Sequence, residues 1–289
     1  MIYEIENSCL KIKVNSFGAE LVSVYNKKNG SEYMWQPDAE IWDRQSPNMF
    51  PVCGRFYGLK YIYKGKTYEM GLHGFGWISE FEKVCVEDSK ITLTLTENKE
   101  TLSQYPFCFE YSVEYLLCEN TVFVNYRVKN TGEGSMYFSL GSHPGFNVPL
   151  EEGESFEDYY IDFGEKCSPS IIRNFHDNSG FEPYSLEEGR KIKLTHSLFD
   201  EDGVFLKDTS GFAALRSTKS DRAVEVRYND FKYVGIWHAP FTKAPYVCIE
   251  CWHSLPCSNG RVPDIEKDID MICLDKNKNY SKSFWVTIK

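Results

Sequence analysis

Hydrophobic and polar residues alternate with a period of two along much of this chain. In the segment KITLTLT, Ile91, Leu93 and Leu95 fall on one face of an extended strand, and threonines fall on the other. The segment YSVEYLLCENTVFVNYRV shows this alternation twice, on either side of Glu119 and Asn120, which predicts a β-hairpin that turns at these two residues. Shorter alternating runs are CLKIKV, AAL, AVEVRY and FWVTI. The dominant pattern is that of antiparallel strands.

The segments between these runs, such as NKKNGS, KNTGEGS and DNSGFEP, have the composition of turns. A helical period is clearest in PDIEKDIDMICL, where Ile265, Ile269 and Ile272 are spaced by four and three residues, so a helix is predicted there. Many short strands with few short helices indicate an all-β sandwich or barrel. No low-complexity linker divides the 289 residues, so we expect a single domain spanning 1–289.

Composition narrows the classes of function. Aromatic residues make up 16% of the chain, which favours strands and also supplies flat apolar faces for a ring-shaped ligand. The net charge of −10, without a cluster of Lys or Arg, argues against nucleic acid as a partner. No segment approaches the ~18 apolar residues that span a membrane. The N-terminal sequence lacks a secretory pattern, so ten cysteines predict reduced thiols and a cytoplasmic protein.

The segment GSHPGFNVP places His143 between a small residue and a proline–glycine turn. Pro144 biases the backbone of His143 towards an extended conformation, and Gly145 permits a turn or a close approach. An imidazole held in this way is a candidate general acid or base, because histidine titrates near neutral pH. The alternative is a histidine that is bonded to a loop carbonyl.

Three further side chains are candidates for binding a ligand. His73 in GLHGFGW lies among glycines and aromatic residues, which suit close approach and stacking but also suit a glycine-rich turn over a core. Arg55 in PVCGRF could donate a fork of hydrogen bonds to hydroxyls, a carboxylate or a phosphate, or lie on the surface. Asp202 in LFDEDGVF precedes a glycine, and turn chemistry explains it equally well.

The segment APYVCIECWHS reads as a strand in which Tyr246, Cys248 and Glu250 share one face. On an apolar and aromatic face, desolvation would raise the pKa of Glu250 and make it a candidate general base. The alternative is a carboxylate on the solvent face, which is the usual location of glutamate.

The same segment raises the alternative of a zinc or redox site. Cys248 and Cys251 form a C-x-x-C pair, and His253 and Cys257 follow closely. Residues three apart on a strand point to opposite faces, and a redox pair needs a helix N-terminus to lower its thiol pKa. The order of these residues also lacks a second conventional pair of ligands. We therefore expect no metal site, and the zinc reading stays a minor alternative.

Taken in order, the segments FPVCGR, HGFGW, GSHPGFNVP, LFDEDGVF, YVGIWHAP and APYVCIECW resemble the aldose 1-epimerase (galactose mutarotase) family, most closely its LacX-like branch. The resemblance covers nearly the whole chain. It implies a β-supersandwich with a concave sugar site, and an isomerase that exchanges the α and β anomers of a hexose without a cofactor.

The resemblance also implies roles for individual residues. Glu250 resembles the catalytic base of the family and His143 its catalytic acid. Four residues resemble the sugar-binding positions: His73, Arg55, Asp202 and Trp237. Cys251 and Ser254 depart from the proline and glycine that the family usually has there, which bears on the backbone near the base and on substrate fit.

Several alternatives stay open at this point. Arg44 and Arg55 leave room for a phosphorylated hexose, which would make the protein a hexose-phosphate 1-epimerase of the same fold. A sugar-binding or sensing protein that has lost turnover is the other alternative. The expected partner is a small sugar, with no nucleic acid and no membrane, and the protein is a monomer or a homodimer.

Overall fold

The computed structural model describes residues 1–172, 180–255, 260–267 and 270–289. Strands dominate these residues, and in chain order they are β1 Ile2–Glu6, β2 Leu10–Asn15, β3 Glu20–Asn26, β4 Ser31–Glu32, β5 Asn48–Met49, β6 Lys60–Tyr63, β7 Lys66–Glu69, β8 Lys83–Glu87, β9 Lys90–Thr96, β10 Phe109–Cys118, β11 Thr121–Asn130, β12 Met136–Phe138, β13 Gly141–Ser142, β14 Gly145–Asn147, β15 Tyr159–Asp162, β16 Ser170–Ile172, β17 Glu182–Pro183, β18 Lys191–Lys193, β19 Val204–Lys207, β20 Phe212–Ser217, β21 Ala223–Arg227, β22 Tyr233–Trp237, β23 Tyr246–Trp252, β24 Ile272–Leu274 and β25 Asn279–Ile288. The fold is all-β, as the alternating pattern predicts.

Two large antiparallel sheets form the body of the molecule. The first has nine strands in the order β18-β15-β20-β21-β25-β11-β10-β9-β8. The second has eight strands, in the order β17-β16-β19-β22-β23-β13-β5, with β14 also paired to β23. A four-stranded sheet, β1-β2-β3-β4, and the pairs β6-β7 and β12-β24 complete the described strands.

The predicted hairpin is confirmed. Strands β10 and β11 pair from Phe109 opposite Asn130 to Cys118 opposite Thr121, which leaves Glu119 and Asn120 as the turn. Alternate residues of both strands are buried, and they join residues of the eight-stranded sheet in one hydrophobic cluster. Burial of each large apolar side chain contributes about 1.5–3 kcal/mol. The period-two pattern therefore produces the core shared by the two large sheets.

Helices are short. One α-helix, Lys99–Gln104, begins at a capping box in which Thr101 N donates to Asn98 Oδ1 (2.9 Å) and Asn98 N donates to Thr101 Oγ1 (2.8 Å). The described 3₁₀ helices are Tyr57–Leu59, Gly76–Ile78, Phe156–Asp158 and His196–Phe199. Among the residues that the structure describes, no helix is both long enough and apolar enough to cross a membrane.

The prediction of a helix over PDIEKDIDMICL is wrong for the described part of that segment. Ile265 lies in a turn, and Ile272 begins β24, which pairs with β12; Ile269 lies outside the described residues. Ile62 N donates to Pro263 O (2.7 Å) and Ile265 N donates to Ile62 O (3.0 Å). Because these bonds to β6 use the backbone groups that a helix would need, tertiary pairing overrides the local period.

Candidate active site

Strand β23 carries Glu250 at the centre of the eight-stranded sheet, between β22 on one side and β13 and β14 on the other. Alternation places Val247, Ile249 and Cys251 in the main hydrophobic cluster. The opposite face of the strand carries Glu250, which lines a cavity and has a side chain with 0% exposure. The predicted strand and the predicted face of Glu250 are both found.

Gly235 makes room beside Glu250, its partner on the neighbouring strand β22. A Cβ atom at this position would lie 2.6 Å from Cε1 of the Phe205 ring and 3.3 Å from the Cβ of Glu250. A larger residue would therefore displace Phe205, which lines the same cavity as Glu250. Glycine weakens a strand interior, so its place here reflects this close packing.

His143 is brought to Glu250 because β13 and β14, on either side of it, both pair with β23. His143 Nε2 lies 3.3 Å from Glu250 Oε2. The backbone N–H of His143 donates to Pro47 O (3.1 Å), which fixes its main chain. The imidazole also packs against two indoles, with ring centroids 5.1 Å from Trp42 and 5.2 Å from Trp237. Backbone and ring are therefore both held.

The hydrogen bonds of this pair are incomplete. Trp252 Nε1 donates to Glu250 Oε2 (2.9 Å). Neither Glu250 Oε1 nor His143 Nδ1 has a hydrogen-bond partner among the residues that the structure describes. Both atoms belong to side chains that line the cavity, so they can form hydrogen bonds with a molecule bound there.

His73 is positioned by two tight backbone contacts. Its N–H donates to Gly54 O (2.6 Å), and the Gly54 N–H donates to His73 Nδ1 (3.0 Å). Since Nδ1 accepts, the neutral ring carries its proton on Nε2. The next residue, Gly74, has φ +72°, and a Cβ there would lie 2.3 Å from Phe50 O. The backbone therefore requires glycine at position 74. The His73 ring lies edge-to-face with the His143 ring, with 5.6 Å between the ring centroids.

Burial dominates the electrostatics of the site. It raises the pKa of Glu250 well above its ordinary value; the hydrogen bond from Trp252 opposes this shift and the negative charge of Asp202 adds to it. Burial lowers the pKa of His143 to about 4. It also lowers the pKa of His73 well below its ordinary value, and the nearby His143 and Arg55 contribute.

One proton shared between His143 and Glu250 follows from these shifts. The two groups are 3.3 Å apart, so they titrate as a pair. A second proton would leave a buried imidazolium beside a neutral acid, and loss of the first would leave a buried carboxylate beside a neutral imidazole. The singly protonated pair is therefore stable over a wide range of pH.

The cavity has a volume of about 410 Å³, within the range of small-molecule sites. All six residues that the sequence nominated line it: Glu250, His143, His73, Arg55, Asp202 and Trp237. The lining also includes Arg44, which the sequence analysis considered only for a phosphorylated substrate. The remaining lining residues were not nominated: Trp42, Asp43, Pro47, Gly54, Leu72, Trp77, Phe205, Pro240 and Trp252. The nominated residues are brought together, while their chemical roles stay predictions.

Asp202 fits both the ligand-binding and the turn interpretation, because it lines the cavity and its Oδ1 accepts the N–H of Gly203 (2.9 Å) in a turn.

Among the lining residues that the sequence analysis missed, Trp252 could have been identified from the strand pattern. It follows Glu250 by two positions on one strand, so alternation places both on the same face. Trp42 lies outside the named strands in the segment IWDRQSP, where no period points to it.

Cys248 and Cys251, the two described cysteines of β23, lie on opposite faces of the strand. Cys248 packs with Trp35 on one face of β23, whereas Cys251 is in the main cluster on the other. Burial raises the pKa of both thiols, which makes them unreactive. Cys257 lies outside the described residues. Within those residues, no group of three or more His, Cys, Asp or Glu side chains could hold a metal ion.

Comparison with known proteins bears on the whole chain. A family model described as aldose 1-epimerase matches residues 1–286. The chain belongs to the aldose 1-epimerase family. Protein LacX (chromosomal) of Lactococcus lactis is 32% identical, over 100% of this chain and 99% of that protein. This membership identifies the protein as an isomerase of the epimerase type.

Solved structures agree with this assignment. The X-ray structure of a galactose mutarotase related enzyme from Lactobacillus acidophilus is 34% identical, with a TM-score of 0.92, over 100% of this chain and 97% of that one. A galactose mutarotase-like protein from Lactobacillus casei is 32% identical, with a TM-score of 0.92, over 100% of both chains. The predicted family and its galactose mutarotase-like fold are therefore confirmed.

Proposed function

We propose that this aldose 1-epimerase family member is a mutarotase that exchanges the α and β anomers of a hexose, with Glu250 as general base and His143 as general acid. The observation that carries the proposal is the 3.3 Å contact between His143 Nε2 and Glu250 Oε2 in the wall of a ligand-sized cavity. A base and an acid so close together suit a reaction in which protons are transferred at two oxygen atoms bonded to the same carbon.

The chemistry requires such a pair because the anomeric carbon bears both the hydroxyl and the ring oxygen. The Glu250 carboxylate removes the proton of the anomeric hydroxyl while the His143 imidazolium protonates the ring oxygen. The bond from the anomeric carbon to the ring oxygen breaks, and the C1 aldehyde forms. Rotation about C1–C2 then presents the other face of the aldehyde, and ring closure returns each proton to its donor.

The shared proton fits these roles. A carboxylate beside an imidazolium holds one proton, as does a carboxylic acid beside a neutral imidazole, so the reactive form needs only a transfer within the pair. General acid–base catalysis of this kind contributes about 10²–10⁴ in rate. The pair therefore supplies the chemistry without a metal or a nucleotide cofactor.

Sugar binding is assigned to the rest of the lining. His73 presents an Nε2–H donor, since its Nδ1 accepts the Gly54 N–H. Arg55, Asp202 and Trp237 line the same cavity. In this proposal Arg55 donates to further hydroxyls, Asp202 accepts from them, and Trp237 supplies an apolar wall. This combination of polar groups and aromatic faces matches a ring with hydroxyls at its edge and C–H bonds on its faces.

The charges of the lining favour a neutral hexose over a phosphorylated one. Arg44 and Arg55 are the observation that favours a hexose-phosphate 1-epimerase, because arginine binds phosphate well. The carboxylates of Asp43 and Asp202 line the same cavity and offset the charges of these two arginines, and the Glu250–His143 pair with its shared proton carries no net charge. A phosphate dianion would therefore meet no net positive charge, so we place the neutral sugar first.

We also propose the context in which the protein acts. Residues 1–289 form one domain, and its partner is a small sugar. Ten cysteines favour the reducing conditions of the cytoplasm. The oligomeric alternatives are a monomer or a homodimer.

Polarimetry tests the proposal. The optical rotation of freshly dissolved α-glucose and α-galactose is followed near neutral pH with wild-type protein, with Glu250→Gln and without protein, and hexose 6-phosphates are followed in parallel by NMR. We expect acceleration by the wild type that is lost in Glu250→Gln. Acceleration of phosphorylated sugars alone would establish the hexose-phosphate alternative. Sugar binding without acceleration would identify a binding protein and overturn the proposal.

A further inference from the structure

We infer that Glu20, which does not contribute to the lining of the cavity, is a positioning residue for the catalytic acid. Glu20 begins β3, and only 6% of it is exposed. Its Oε1 accepts two backbone hydrogen bonds, from Gln45 N (2.9 Å) and Ser46 N (2.8 Å). A buried carboxylate is uncommon, and here it holds the main chain of one loop.

That loop is bonded directly to the segment that carries His143. Gln45 O accepts the N–H of Gly145 (2.7 Å), and Pro47 O accepts the N–H of His143 (3.1 Å). Glu20 therefore holds this loop at Gln45 and Ser46. Carbonyls of the same loop, those of Gln45 and Pro47, hold Gly145 and His143. Two hydrogen bonds in succession, through Gln45, connect Glu20 to the backbone of Gly145, two residues after the acid.

The same loop also contacts the ring of His143. It includes Trp42, whose ring centroid is 5.1 Å from that of His143. Trp42 is fixed in turn by its carbonyl, which accepts from Trp35 Nε1 (3.1 Å), and the Gln45 side chain donates to Trp35 O (2.8 Å). Displacement of the loop would therefore move both the backbone support and the side wall of the imidazole.

The N–H groups of Gln45 and Ser46 require a hydrogen-bond acceptor at position 20, and this acceptor need not be charged. Both bonds go to one oxygen of Glu20, and the carbonyl of a glutamine could accept them from the same place. Glu20→Gln should therefore preserve the loop, whereas Glu20→Ala leaves the N–H groups of Gln45 and Ser46 without their acceptor. This difference separates positioning from a general electrostatic effect.

Asp162 offers a matched control. It is 5% exposed, accepts from Gly164 N (2.9 Å), and pairs with Arg190 (3.3 Å) and Arg216 (3.8 Å). It belongs to β15 of the nine-stranded sheet, and these partners lie outside the lining of the cavity. Asp162→Ala thus removes a buried carboxylate without touching the loop at 42–48.

The experiment compares wild type, Glu20→Ala, Glu20→Gln and Asp162→Ala by mutarotation kinetics and by hydrogen exchange of peptides covering 141–147. For Glu20→Ala we expect kcat to fall about 10- to 100-fold, as for a misplaced catalytic group, with KM changed less than about threefold. Glu20→Gln should restore kcat to within about threefold of the wild type. Exchange over 141–147 should accelerate in Glu20→Ala alone.

Three results would overturn the inference: full kcat in Glu20→Ala, no rescue in Glu20→Gln, or an equal loss of kcat in Asp162→Ala. If Glu20→Ala does not fold, Glu20→Asp takes its place, because aspartate keeps the charge but its shorter side chain does not reach the two N–H groups. Unchanged kcat and unchanged hydrogen exchange in Glu20→Asp would then contradict the positioning role. The kinetic part rests on the proposed function. The exchange part does not, so failure of mutarotation would leave the effect on 141–147 still measurable.

Discussion

Two buried glutamates of this molecule, Glu20 and Glu250, differ in how their charge is compensated. Burial raises the pKa of Glu20; two backbone N–H donors and the positive charge of Arg44 oppose this shift, and the negative charge of Asp43 adds to it. Glu250 accepts one indole N–H from Trp252, and the negative charge of Asp202 raises its pKa further. Burial raises the pKa of both, so the difference comes from their neighbours.

This difference separates a structural carboxylate from a reactive one. A carboxylate oxygen with two N–H donors is stabilised as an acceptor and fixes the chain that provides them. A buried carboxylate with a single donor, as at Glu250, has a higher affinity for a proton. The contrast explains why the base of the proposed reaction is Glu250, although Glu20 is nearly as buried.

The same substitution at the two sites gives the largest expected contrast. Glu250→Gln should lower kcat for mutarotation by about 10²–10⁴, because an amide cannot take the hydroxyl proton. Glu20→Gln should leave kcat within about threefold of the wild type, because its carbonyl keeps both hydrogen bonds. Polarimetry with both variants, and circular dichroism to verify folding, measures the contrast. Near-normal activity of Glu250→Gln would remove Glu250 from the role of base.

The pH dependence of kcat probes the proton shared by Glu250 and His143. Below about pH 4, where His143 titrates, the pair takes up a second proton, the carboxylate is lost, and kcat should fall about tenfold per pH unit. The raised pKa of Glu250 keeps the shared proton in place at neutral pH. Activity should therefore be level between about pH 5 and 7, in contrast to an isolated histidine of pKa about 6.5.

The profile requires subtraction of the spontaneous reaction in each buffer at several buffer concentrations. An acidic limb near pH 6.5 would show that His143 titrates independently of Glu250. That outcome would contradict the shared proton and leave the identity of the acid open to test with His143→Asn.

Trp252→Phe sharpens the comparison by removing the indole donor from Glu250. Loss of this bond should raise the pKa of Glu250 further and lower kcat at neutral pH by about tenfold, the size expected for a hydrogen bond to a charged group. At alkaline pH, where the pair loses its shared proton, the fall of kcat should move to higher pH. Trp285→Phe, at a tryptophan that packs against Phe123 on the nine-stranded sheet, is the matched control. Equal effects of both variants would contradict a specific role for Trp252.

Much of the fold follows from local alternation, because each strand of a two-layer β structure must place one side in the core. The hairpin at Glu119 and Asn120 is an example, and the burial of Glu250 on β23 is another. The helix predicted near Ile265 is wrong because backbone bonds with Ile62, some two hundred residues earlier, decide that segment. Periodicity carries no information on such distant pairing.

The site depends on distant pairing to a greater degree. His143 meets Glu250 because Ser142 pairs with Cys251, more than a hundred residues later in the chain. The ordered motifs nominated this meeting through resemblance to a family, not through a physical pattern in the sequence. The contact of Glu20 with the loop could not be predicted from the sequence, because no local pattern indicates that its carboxylate accepts the N–H groups of residues 45 and 46.

The smallest expected effect is on stability, and it has the same sign at both glutamates. A carboxyl whose pKa is raised on folding contributes stability below its unfolded pKa, and this contribution is lost as pH rises through the folded pKa. Neutral glutamine avoids that loss. Glu250→Gln should therefore raise Tm by a few degrees at pH 7 and by less at pH 4. Glu20→Gln should also raise Tm, but to a smaller extent. The reason is that two N–H donors and Arg44 already offset part of the upward pKa shift that burial causes at Glu20. Thermal unfolding at the two pH values measures both differences. A lower Tm for Glu250→Gln at pH 7 would mean that the folded protein compensates the charge of Glu250 more fully than that of Glu20. The distinction between the two carboxylates would then have to rest on position in the cavity alone.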